Sequence, residues 1–117
     1  MVRLVAGRDG RERIIDHPRV QKPGLALAGH THGVVPTRVQ ILGETEITYL
    51  EGLSPQDQER RAAVLFGLGL SLVVVTRGVE PPMALVEAAE RTSTPLAVSA
   101  LRSKSTPLAP YMLWAIF

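Results

Sequence analysis

Leu72-Val73-Val74-Val75 constrains the fold more than any other stretch of this chain. A continuous aliphatic, largely β-branched run has no polar face to give to water, so it predicts a strand buried on both sides. Such a strand needs cover, and the flanking residues supply it. Upstream, Ser54-Pro55-Gln56-Asp57 is a helix start. Ser54 can cap, Pro55 takes the first helical position where a missing N–H costs nothing, and Asp57 complements the helix dipole. This helix is expected to run to about Phe66, with Ala62, Ala63, Leu65 and Phe66 on its apolar face and Gly67 and Gly69 ending it. Downstream, Thr76-Arg77-Gly78 reads as a loop and Pro81-Pro82 as the start of a second helix that packs through Leu85, Ala88 and Ala89. Leu96-Ala97-Val98 follows Pro95 as a further strand. Strand, helix, strand in that order signals a right-handed parallel crossover. The expected class is α/β, a single domain with a largely parallel or mixed sheet flanked by helices.

The first half of the chain carries weaker signals of another kind. Val2–Ala6 is short and β-prone, with a turn at Gly7-Arg8-Asp9-Gly10 behind it. Ile14-Ile15 is read as a second short strand ended by Pro18, and Leu25-Ala26-Leu27-Ala28 as another, opened by Pro23-Gly24 and stopped at Gly29. Arg38-Val39-Gln40-Ile41-Leu42 alternates polar and apolar residues and closes on Gly43. Glu44 to Leu50 returns to helical spacing, with Ile47 and Leu50 three apart. From Pro107 the chain is expected to be helical to Phe117, where it stops on apolar residues with neither a polar cap nor a glycine. That ending predicts a piece of a longer protein.

Composition narrows the function. At 117 residues the chain has the size of one domain, and 45% hydrophobic residues with only 4% aromatic ones means an aliphatic core. There is no cysteine, which removes disulfide frameworks, thiolate metal sites and cysteine nucleophiles together. No apolar run is long enough for a secretory signal or a membrane span, so a cytoplasmic protein without membrane contact is expected. The net charge of +2 is unevenly spread: residues 1–40 carry +4, residues 41–90 carry −5 and residues 91–117 carry +3. No basic run or aromatic interleaving accompanies the first excess, so no nucleic-acid partner is expected.

Motifs that would carry catalysis are missing. A phosphate-cradling P-loop needs closely spaced glycines before a lysine and a hydroxyl residue, and neither Lys22 nor Lys104 follows such glycines. Gly67-x-Gly69 stands before the strand, where a helix end explains it. Ser54 or Ser99 with His17 and Asp16 makes a triad only on paper, because no nucleophile elbow supports it. No catalytic residue is assigned.

Two weaker features stay open. His30-Thr31-His32 has metal-like spacing and would need a third ligand such as His17 or Glu44; a short polar loop with incidental histidines is the other reading. Thr76, Arg77 and Gly78 follow the most buried strand, where open α/β sheets bind ligands. Arg77 could hold a phosphate or a carboxylate there, or simply pair with Glu80 at the surface.

Three segments, in order, resemble one family. They are Arg19-x-x-x-Pro23-Gly24-Leu25-Ala26-Leu27-Ala28-Gly29, the stretch from Arg38 to Leu50, and Val74-Val75-Thr76-Arg77-Gly78-Val79-Glu80-Pro81-Pro82. Together they look like the N-terminal domain of the HPr kinase/phosphorylases, over nearly the whole chain from about Leu4. The chain departs from the family at Gly10-Arg11-Glu12-Arg13, where Gly-Leu-Asp-Arg is usual, and at His30-Thr31-His32-Gly33, where the family is aromatic-rich. The resemblance implies a domain similar to the first domain of peptidoglycan-synthesising Mur ligases. It also implies a bacterial regulator of carbon metabolism that phosphorylates a serine of the phosphocarrier HPr and removes the phosphate by phosphorolysis. The catalytic P-loop domain, with its ATP and magnesium, would lie C-terminal to residues 1–117, which themselves need no cofactor. Expected partners are that kinase domain, HPr through the full enzyme, and further copies of the chain. Self-association is expected from Met112, Trp114, Ile116 and Phe117 crowding one segment. The expected role is non-catalytic regulation or assembly, and the alternative is a sensor for a small phosphate- or carboxylate-bearing metabolite.

Overall fold

The computed structural model describes residues 2–16, 19–76 and 80–99. Four strands, β1 (Val2–Ala6), β2 (Val39–Leu42), β3 (Leu72–Val75) and β4 (Leu96–Ser99), form one sheet in the order β1-β4-β3-β2. β2, β3 and β4 run parallel, and β1 closes the far edge antiparallel to β4. The sheet is therefore mixed and the class is α/β, as the strand–helix–strand spacing predicts. The helices are α1 (Gly24–Leu27), α2 (Glu44–Glu51), α3 (Pro55–Phe66) and α4 (Met83–Thr92).

α3 forms where its cap residues put it. Ser54 Oγ accepts from the Asp57 N–H at 3.2 Å, Pro55 opens the helix, and the Gly67 N–H closes on the Ala63 carbonyl at 2.9 Å. Ala62, Leu65 and Phe66 are buried, one turn apart on the same face. Ala63, expected beside them, is exposed because it falls about 100° around the helix from Ala62, outside the buried stripe. α4 buries Leu85, Ala88 and Ala89, as its spacing requires.

Residues from all four helices join one core cluster, with Leu42, Val73, Val75, Leu96 and Val98 beneath them. The opposite sheet face gathers Val39, Ile41, Leu72, Val74 and Ala97 into a second cluster, with Leu4, Ile15 and Val20 packed against it. Alternation along β3 thus divides one apolar run between two cores. Every residue of β2, β3 and β4 is buried.

Two expected strands are corrected. Leu25–Ala28 belongs to a helical turn: the Ala26 and Leu27 N–H groups donate to the Pro23 carbonyl at 2.9 and 3.4 Å. A four-residue apolar run has no period of its own, and Pro23-Gly24 serves equally to open a helix. Ile14-Ile15 is not a strand either. Ser71 Oγ donates to the Ile14 carbonyl, and the place beside β2 goes to the single residue Gln21, which bridges to Gln40 in parallel. The segment from Pro107 to Phe117 lies outside the described residues.

A second structural tie fastens the N-terminal turn to the end of α4. A Cβ on Gly7 or Gly10 would stand 1.8 Å from the Thr94 carbonyl oxygen or 1.7 Å from that of Ser93, so both positions admit only glycine. Beyond them, half-buried Arg13 reaches across. Its Nη1 donates to the Leu70 carbonyl at 2.6 Å and to Thr94 Oγ1 at 3.0 Å, and its Nη2 to the Thr92 carbonyl at 2.7 Å. The Gly7 N–H completes the tie by donating to Glu90 Oε1 at 2.6 Å.

Candidate functional site

The three parallel strands end together on one edge of the sheet. One step past the pair Leu42–Val75 stand Gly43 and Thr76, and one step past Val75–Val98 stand Thr76 and Ser99. The Thr76 N–H donates to the Leu42 carbonyl at 3.1 Å, which carries the ladder beyond the strand. Thr76 and Ser99 are both fully buried, so two hydroxyl residues sit side by side at the carboxyl end of β3 and β4. This is the edge where open α/β sheets receive ligands, because the loops that leave it expose backbone donors.

Thr76 is the only one of the three loop residues singled out in the sequence that the structure positions. Arg77 and Gly78 lie outside the described residues. Glu80, the partner that the sequence offers Arg77, pairs with Arg3 at 3.3 Å, with both side chains well exposed. At the neighbouring start of α2, the Gly43 N–H donates to Glu46 Oε2 at 3.0 Å, so this helix start is capped from within the chain.

His30 and His32 stand on a separate loop, and both are exposed. Among the described residues no group of three His, Cys, Asp or Glu side chains could hold a metal. His17, one candidate third ligand, lies outside them. The two histidines do share a cavity of about 170 Å³ with Gln21, Lys22, Pro23 and Ala26. A second cavity, about 280 Å³ and mostly apolar, lies between α1 and α2 against Leu27, Ala28 and Tyr49.

Sequence reasoning missed the polar network behind the histidine loop. Gln21 Nε2 donates to the Gly33 carbonyl at 2.7 Å, and its Oε1 accepts from the Val35 N–H at 2.9 Å. Gln40 Nε2 donates to Gln21 Oε1 at 3.1 Å and to the Val35 carbonyl at 2.9 Å. Gln40 is fully buried, although alternation along its strand suggested one wet face. The signal available was a lone amide between Val39 and Ile41, which marks either an exposed position or a buried one that bonds inward.

The mixed sheet, the helices gathered over one core and the row of strand ends define an open-sheet α/β domain. Within that class, residues 1–108 match the family described as HPr serine kinase N terminus, and the chain belongs to that family. It is similar to the HPr kinase/phosphorylase of Geobacter sulfurreducens, with 42% identity over 102 residues. The matched stretch covers 87% of this chain and 32% of that relative, so the chain spans about a third of its length. Among solved structures, the fold resembles the regulatory region of Clostridium perfringens pyrophosphatase, whose CBS and DRTGG domains were crystallised with the activator diadenosine tetraphosphate. That likeness has a TM-score of 0.57 and 17% identity, and covers 87% of this chain and 39% of the other. No helix among the described residues is long and apolar enough to cross a membrane.

Proposed function

We propose that this domain is a non-catalytic regulatory and assembly unit of a bifunctional HPr serine kinase/phosphorylase, working in the cytoplasm of a bacterium. The family match over residues 1–108 carries the reading. The residues themselves agree with it. Holding ATP and magnesium needs backbone N–H groups wrapped around phosphates, with a lysine and a hydroxyl residue behind them. Neither Lys22 nor Lys104 stands after such glycines, so these residues do not fit that group. Phosphotransfer to HPr, and its reversal, belongs in this reading to sequence matching the remainder of the longer relative. The domain's partners are that kinase portion and further copies of the chain.

The test is phosphoryl transfer by the 117-residue chain, incubated with ATP, magnesium and HPr. No phosphoserine above a buffer control is expected. Turnover that scales with the concentration of this chain overturns the reading.

A second reading is a sensor for a phosphate- or carboxylate-bearing metabolite at Thr76, Arg77 and Gly78. The placement of Thr76 at the carboxyl end of β3 favours it. A fold of this kind also occurs in a regulatory region that takes a nucleotide activator. Calorimetry with diadenosine tetraphosphate and smaller phosphates, on wild type and Arg77→Ala, decides. Equal binding by the two proteins, or none by either, removes it.

A further inference from the structure

We propose that the cavity between the histidine loop and α1 is a binding site for a small oxyanion, a phosphate or a carboxylate, held by Lys22, His30 and His32. It shares no residue with the row at Gly43, Thr76 and Ser99.

Three nitrogen-bearing side chains without a partner among the described residues face one space. Lys22, His30 and His32 line one cavity of about 170 Å³, and no carboxylate lines it with them. None of the three has a hydrogen-bond or ion-pair partner among the described residues. Arg61 comes close to the start of the loop, with its Nη1 3.1 Å from the place a Cβ on Gly29 would occupy. A lysine and two imidazoles facing one space supply N–H donors, and the lysine adds positive charge, the chemistry that holds an oxyanion. A metal ion fits less well, because the lysine repels it and the described residues bring two imidazoles and no third ligand.

The loop that carries the histidines is also held in place. Gly29 and Gly33 take φ values of 102° and 91°, which fold the loop back on itself. Gln21 then clamps its far end through Gly33 and Val35, and Gln40 clamps Gln21 from inside the fold. Gln40 is buried, and among the described residues its Oε1 has no hydrogen-bond partner. An unsatisfied buried acceptor is unfavourable, and an apolar side chain at that position would avoid it. The amide at residue 40 therefore acts on the loop, fixing where His32 and its neighbours stand.

Size selects the class of ligand. Sites for drug-sized molecules occupy about 300–1,000 Å³. A cavity of about 170 Å³ takes a free phosphate, a small carboxylic acid or the charged end of something longer.

Amide-resolved NMR titration of the 117-residue chain tests this, using sodium phosphate in one arm and sodium acetate in the other, with chloride balancing ionic strength. Saturable shifts are expected at Lys22, His32, Gly33 and Val34 in at least one arm, and which arm saturates identifies the oxyanion. Lys22→Ala with His32→Ala should weaken binding about tenfold or more, the loss of charge-assisted hydrogen bonds. Arg77→Ala should leave these shifts unchanged, which separates this site from the strand-end reading. Shifts that stay linear in both arms, or saturate equally in the double variant, overturn the proposal. Gln40→Met examines the clamp: weaker binding at an unchanged fold is expected, and wild-type affinity would remove the positioning role. Should that variant fail to fold, the Lys22 and His32 comparison still decides the site.

Discussion

Replacing Arg13 with alanine should be among the most damaging single changes outside the apolar core. The guanidinium bridges three acceptors at 2.6, 3.0 and 2.7 Å, namely the Leu70 carbonyl, Thr94 Oγ1 and the Thr92 carbonyl. Leu70 and Thr94 are themselves fully buried, so water cannot replace the lost donors at no cost. Hydrogen bonds from a charged group are worth about 1.5–3 kcal/mol net each. Three bonds sharing one side chain are not additive, so the truncation should cost about 3 kcal/mol. With a urea slope of about 1.5 kcal/mol/M for a domain of this size, the midpoint should fall by about 2 M. Equilibrium unfolding in urea, followed by circular dichroism, reads this directly. Arg13→Lys keeps the charge but not the fork, and should recover less than half of the loss. Arg11→Ala is the control, because its Nε bonds only to the exposed Arg8 carbonyl, at 3.0 Å. A fall of less than about 0.5 M for Arg13→Ala, or full rescue by lysine, would show that the bridge contributes charge alone or nothing.

Changes at three other positions test neighbouring contacts. Gly10→Ala would place a Cβ 1.7 Å from the Ser93 carbonyl oxygen, so the N-terminal turn should separate from α4 and the soluble folded yield should collapse. Gly69→Ala has φ +74 but nothing within 4 Å, so thermal melting should show only the strain of a left-handed residue, about 1 kcal/mol. Comparable damage by both changes would mean that close approach is not the reason for Gly10. Ser54→Ala removes the cap on the Asp57 N–H and should lower stability by about 1 kcal/mol, with Ser54→Asp restoring it. An unchanged melting temperature in the alanine variant would show that Pro55 alone starts α3.

The second half of the chain was legible because its signals agree with one another. Between Ser54 and Ser99 the cap, the glycine stop and the aliphatic strands fall where the residues place them, and the helix faces do so apart from Ala63. The first half was less so, for physical reasons. Leu25–Ala28 is too short to show a period, and its helical turn depends on the Pro23 carbonyl. Arg13 looked like one of many surface cations. Its acceptors are backbone carbonyls and a hydroxyl 57 to 81 residues away, and no local pattern announces such a bridge. The candidate sites divide in the same way. Thr76 could be placed at a strand end from the sequence, and His30 and His32 stood out by spacing. The cavity they share exists only because α1 folds beside their loop, and the Gln21–Gln40 clamp needed the sheet register to be seen.

The pairing of β1 with β4 also bears on how the chain is made. Val2 lies opposite Ser99, so the first of the four described strands to be synthesised pairs with the last of them. Until β4 emerges, β1 has no ladder to join, and Gly7 and Gly10 have no Ser93–Thr94 turn to close upon. β2, β3 and their helices can pair meanwhile, since each parallel neighbour follows the last along the chain. Contacts between distant parts of a chain form slowly, because the intervening loop must close first. During synthesis the N-terminal strand is thus an unpaired edge for as long as the rest takes to appear. Of the four described strands, β1 is translated before the others and is the last to find its place in the sheet.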